Sequence, residues 1–143
     1  MSARGSAWRV HDRAASAPAR ERAGWTDLTP AAAAAALARL RVIDVREPDE
    51  YHGDLGHLPG AALVPLARLD AELHRFDAEQ PVLVVCRSGR RSAAACERLA
   101  SAGVRRVYNL AGGMLAWNAD GREVCARRHD AARGCDAARG GAA

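Results

Sequence analysis

The chain has no lysine; all 21 of its basic residues are arginine. That lack reads as a compositional bias rather than a mechanism, so the arginine count alone is a weak signal. Cysteine is scarce as well. Four of them (Cys86, Cys96, Cys125, Cys135) in 143 residues are too few and too scattered for a disulfide scaffold. No two have the C-x-x-C spacing of a zinc knuckle or a thioredoxin-like site, and C-x3-H-x5-C over Cys125, His129 and Cys135 matches no common zinc pattern. Neither a metal nor a cofactor is expected, and a reduced, cytoplasmic setting fits best. No stretch of about 18 apolar residues exists, so no membrane span is expected. The N-terminus lacks the apolar core of a secretory signal, though its Arg/Ala/Ser character faintly resembles an organellar transit segment.

Positive charge is also missing from where a nucleic-acid binder would need it. Of the formal net charge of +4, residues 1–24 carry +3 and residues 122–143 carry +2, while residues 25–121 carry −1. A nucleic-acid partner calls for basic charge concentrated on the folded face. None is expected here.

What is present falls into three parts. Residues 1–24 show no period and few large apolar groups and read as a mobile leader. Residues 122–143 read as a low-complexity tail, with "DAARGC" followed at once by "DAARGG". Between them, 25–121 alternates helical and strand-like segments. Thr29 and Pro30 make an N-cap and first-turn pair ahead of an alanine run. "RVIDV" (41–45) suits a buried strand. Turn chemistry follows around Pro48, Gly53, Gly56, Pro59 and Gly60. "ALV" (62–64) is a short strand, "LARLDAELHRF" an amphipathic helix, and "VLVV" after Pro81 the most continuous apolar strand. A helix is expected from about Arg90 to Ala102, stopped by Gly103. "RVYNL" (106–110) is a last strand and "AGGMLAWNADG" a short closing helix. Uniformly apolar strands alternating with helices predict an α/β fold with a parallel sheet covered on both faces. In such folds the site lies at the carboxyl ends of the strands.

Cys86 lies there, in "CRSGRRS" (86–92). A thiol that ends a strand and opens a helix faces unpaired backbone N–H groups and the positive end of the helix dipole. Arg87, Arg90 and Arg91 add to that field; a cation about 6 Å away is worth roughly 3 kcal/mol at an effective dielectric near 20. These influences favour a thiolate. Gly89 lets the loop turn so that successive N–H groups point inward as an anion nest. The loop thus pairs a nucleophilic sulfur with an anion pocket, and no histidine is needed where the nucleophile is already ionised. A strand-end cysteine is often only a small buried hydrophobe, but a core position would not tolerate the charge and turn residues that follow this one.

"CRSGRRS", with "VIDVREPDEY" (42–51), "GHLPGA" (56–61) and "YNLAGGMLAW" (108–117), resembles the rhodanese family of sulfurtransferases. The four motifs fall in that family's order and spacing over about 25–121. The resemblance implies a single rhodanese-like domain with a five-stranded parallel sheet and helices on both faces. It also implies a Cys86 persulfide that takes sulfur from a small anionic donor such as thiosulfate and yields it to cyanide, a thiol or a protein. In this reading Cys86 is catalytic, and Arg87, Ser88, Gly89, Arg90 and Arg91 bind the donor. Asp44, Arg46 and Ser92 support the loop. A carrier fed by a partner desulfurase is the alternative. Phosphatases and arsenate reductases of related fold use a C-x5-R loop one residue longer; here Arg91 is the fifth residue after Cys86 and Ser92 the sixth. One departure stands out: Glu50 occupies a position where two-domain thiosulfate sulfurtransferases commonly have a second arginine.

Outside the loop the expectations are plainer. His57 reads as a turn residue, His52 and His74 as surface, and Cys96 and Trp117 as core. Gly112 and Gly113 read as points of close backbone approach. Cys125 or Cys135 is a candidate resolving thiol for Cys86.

Overall fold

The computed structural model describes residues 20–21 and 24–125. Its centre is a sheet of β1 (Arg20–Glu21), β2 (Thr26–Leu28), β3 (Arg41–Asp44), β4 (Ala62–Leu63), β5 (Val82–Val85) and β6 (Val107–Leu110), in the order β1-β2-β6-β5-β3-β4. Five strands run parallel, and only β1 pairs antiparallel, along β2. The helices are α1 (Pro30–Ala36), α2 (Pro48–Tyr51), α3 (Leu69–Glu72), α4 (Arg90–Ser101) and α5 (Gly113–Ala119).

Strand alternation sorts the apolar side chains into two layers. Val42, Leu83, Val85, Tyr108 and Leu110 pack with α1 and α5. Ile43, Val45, Val82, Val84 and Val107 pack with Ala95, Cys96 and Leu99 of α4. Every residue of β5 and β6 is buried, as a central parallel strand covered on both faces requires. The Thr29 hydroxyl caps α1 and Pro30 opens it, and Gly103 follows α4 with φ +102°.

The expected parallel α/β sheet is present, with differences at its edges. The fifth parallel strand, β2, comes from "TDL", which carries no apolar run to announce a strand. Arg20 and Glu21, expected in the leader, pair with β2. Residues 122–125, expected in the tail, belong to the fold: His57 and Cys125 exchange backbone hydrogen bonds of 3.0 and 2.8 Å. The Trp117 indole also donates to the Glu123 carbonyl. Of the segment 66–76, expected as one helix, residues 66–75 form a single α turn flanked by two 3-10 turns. Its apolar residues Leu66, Leu69, Leu73 and Phe76 still face the core, because spacings of three and four are met by either helix type. One turn of helix, α2, interrupts the stretch expected as turns; a reciprocal capping box between Glu47 and Glu50 forms it. The remaining leader and tail expectations, Cys135 among them, lie outside the described residues.

Candidate active site

Cys86 directly follows β5, and α4 begins four residues later, with Gly89 as its N-cap at φ +100°. The Cys86 sulfur is enclosed, the residue being 1% exposed, and two donors approach it. The Gly89 amide lies 3.0 Å from Sγ and the Ser92 hydroxyl 3.2 Å. Arg87, Ser88 and Arg90 are exposed around it.

The loop is held from outside by α5. The Met114 and Leu115 amides donate to the Cys86 and Arg87 carbonyls at 2.9 and 3.0 Å. Gly112 and Gly113 make this approach possible. Both have positive φ, and a Cβ at Gly113 would lie 2.4 Å from the Cys86 carbonyl oxygen and 2.5 Å from that of Arg87. With its first two carbonyls bound outward, the loop has its Gly89 amide free for the sulfur.

A polar chain lies behind Cys86, with Ser92 and Asn109 buried. Ser92 Oγ is 3.2 Å from Sγ and 2.5 Å from Asn109 Oδ1, and Asn109 Nδ2 reaches Asp27 Oδ1 at 2.9 Å and the Gly89 carbonyl at 3.2 Å. Asn109 and Asp27 were not singled out from the sequence. The available signal was an asparagine in the otherwise apolar strand "VYNL", since a buried polar side chain needs partners.

Asp44 and Arg46 lie deeper than expected and one step removed from the loop. The Arg46 guanidinium bonds both Asp44 carboxylate oxygens at 2.9 and 2.8 Å, the Glu50 carbonyl at 3.1 Å and the Gly56 carbonyl at 2.7 Å. Arg46 is 1% exposed, and none of these bonds goes to residues 86–92. The pair braces α2 and the turn after it. From α2, Glu50 reaches the loop and grips Arg91 through two hydrogen bonds of 2.8 Å each. Those bonds hold the Glu50 carboxyl down at about 2, and Glu50 in turn raises Arg91. Arg91, expected as an open cation, is therefore neutralised by a partner, while Arg87 and Arg90 make no ion pair among the described residues.

Away from the loop, burial pushes the Cys96 thiol up and makes it inert. His57, expected as a turn residue, is a core group. It stacks on Tyr51 with ring centroids 3.7 Å apart, is 2% exposed, and has its Nδ1 beside the Tyr51 carbonyl. Cys125 is disulfide-bonded. Cys86 and Cys96 are both free thiols.

Residues 29–120 match the family model for the Rhodanese-like domain. YrkF of Bacillus subtilis, which bears the name of a candidate sulfur carrier, is 32% identical over 78 residues, covering 54% of this chain and 41% of that protein. The rhodanese-related protein of Thermoplasma volcanium superposes with a TM-score of 0.62 at 28% identity, over 68% of this chain and 94% of that one. The thiosulfate sulfurtransferase of Pseudomonas aeruginosa does so with a TM-score of 0.60 at 33% identity, over 68% of this chain and 19% of that one. The chain matches 41 to 64% of the length of the first curated relatives. With the matched segment running from the cap of α1 through α5, and so containing the cysteine loop and the helix that holds it, the chain belongs to the rhodanese-like family of sulfurtransferases and sulfur carriers.

Proposed function

We propose that the chain moves sulfane sulfur through a Cys86 persulfide, taking it from a donor such as thiosulfate and passing it to cyanide, a small thiol or a protein acceptor. The Cys86 thiolate attacks the outer sulfur of the donor. A new sulfur–sulfur bond forms at Sγ, the old one breaks, and sulfite leaves with its electron pair. The acceptor then attacks the terminal sulfur of the persulfide and regenerates the thiolate. The Gly89 amide and the Ser92 hydroxyl, both within reach of Sγ, stabilise the Cys86 thiolate before attack and after sulfur is passed on, as charge-assisted hydrogen bonds do. Ser88 and the exposed Arg87 and Arg90 form the rim over which an anionic donor approaches.

The observation that carries this reading is the convergence of one N–H and one O–H donor on an enclosed, free cysteine at the mouth of α4. Intact mass spectrometry after incubation with thiosulfate tests it. One added sulfur atom is expected on the protein and on Cys96→Ala, and none on Cys86→Ser; a Cys86→Ser variant that still gains sulfur rejects the assignment.

A carrier fed by a partner desulfurase is the second reading, and the Glu50–Arg91 pair favours it, because it removes one cation that thiosulfate would use. Slow thiosulfate–cyanide turnover together with fast loading from a desulfurase would decide for the carrier.

A further inference from the structure

Among the described residues, the carboxylate of Glu50 is the negative charge ion-paired to the arginine collar, through Arg91. Three donors fix it: both Arg91 Nη groups at 2.8 Å and the Glu47 amide at 3.0 Å. The helix that carries it is tied down by the buried Arg46 through the Glu50 carbonyl, and Arg46 is locked to Asp44. The Glu50–Arg91 pair itself remains partly open to solvent, with side chains 27% and 37% exposed. A surface ion pair of that exposure contributes little to stability. Such elaborate support for a weak stabiliser points to a task at the site.

We propose that Glu50 is the donor-selectivity determinant of this site: by neutralising Arg91 it disfavours dianionic donors such as thiosulfate and leaves monoanionic thiol persulfides as the preferred source of sulfur. The proposal rests on the Cys86 sulfur-transfer reading. With a thiol persulfide, the Cys86 thiolate attacks the terminal sulfur of the donor, the donor's sulfur–sulfur bond breaks, and the donor thiolate leaves with the electron pair. The encounter then gathers two negative charges instead of the three that thiosulfate brings together with the thiolate. A fixed carboxylate beside the loop penalises the higher charge more, and Arg91, with two of its N–H groups committed to Glu50, offsets less of it.

The test compares Glu50→Gln with the unaltered protein, using thiosulfate and the monoanionic persulfide of 2-mercaptoethanol. Removing the charge should raise kcat/KM for thiosulfate about 10-fold at low ionic strength and change that for the persulfide less than about 3-fold, with the difference shrinking in 0.5 M salt. Arg91→Ala should abolish the gain when combined with Glu50→Gln, since the two act as one unit. Equal losses with both donors would make Glu50 a positioning residue and overturn the proposal. A second readout needs no turnover: protection of Cys86 from iodoacetamide by sulfate. Glu50→Gln should lower the sulfate concentration giving half protection, and an unchanged value overturns the proposal. A protein that accepts sulfur from neither donor rejects the transfer reading instead.

Discussion

The Ser92 hydroxyl has a single proton and two acceptors within reach, the Cys86 sulfur and Asn109 Oδ1. It can donate to only one at a time. With a thiolate at Cys86 the proton faces sulfur; with a thiol, the S–H donates to Oγ and the hydroxyl turns to Asn109. Asn109, spending its amide on Asp27 and the Gly89 carbonyl, fixes Ser92 and the loop together. Ser92→Ala removes one of the two donors to the sulfur, and a hydrogen bond to a charged group is worth about 1.5 kcal/mol or more. The expected outcome is a roughly 10-fold slower reaction of Cys86 with iodoacetamide at neutral pH, with Ser92→Thr near the unaltered rate. Equal rates in all three proteins would remove Ser92 from the sulfur's stabilisation.

At the level of elements, the loop's shape comes from two helices meeting it at their N-termini. One, α4, continues the loop; the other, α5, binds the loop's carbonyls from outside. Gly113 is the hinge of that arrangement, because a methyl group there would collide with two backbone oxygens that cannot swing aside. Gly113→Ala should cost about 3 kcal/mol or more, combining the clash with a strained positive φ. Chemical denaturation reads the loss. Activity should fall further than stability, because α5 must withdraw from the Cys86 and Arg87 carbonyls. Full activity in a destabilised Gly113→Ala protein would show that the outer grip does not shape the loop.

For the whole molecule, acid is the informative stress. Burial, outweighing the Tyr51 carbonyl and the Asp44 charge, lowers the His57 imidazole from its usual 6.5. The folded protein resists a proton that the unfolded chain accepts, so stability holds above about pH 6.5 and declines as the pH falls from there toward the lowered folded value. Glu50 acts in the same direction in a lower window. Its carboxyl titrates at about 2 when folded against 4.5 as the ordinary value, so the stability of that pair is present above 4.5 and lost as pH falls toward 2. Urea titrations at pH 8, 6 and 5 should show the first decline, and His57→Phe should flatten it. A His57→Phe protein with an unaltered pH profile would place the acid sensitivity elsewhere.

The sequence by itself determined the parallel α/β architecture, because β-branched runs buried on both faces leave few other solutions. It also singled out the Cys86 loop, because charge and turn residues beside a strand-end thiol are costly without a purpose. A short inner strand and a one-turn helix stayed invisible in "TDL" and "PDEY", where three or four residues carry no period to read. Tertiary structure alone decided the fate of the charges. Arg91 was claimed by Glu50, 41 positions away in the chain. A neighbour that distant leaves no local trace, since ion pairing depends on where the sheet sets two side chains and not on how far apart they stand in the chain.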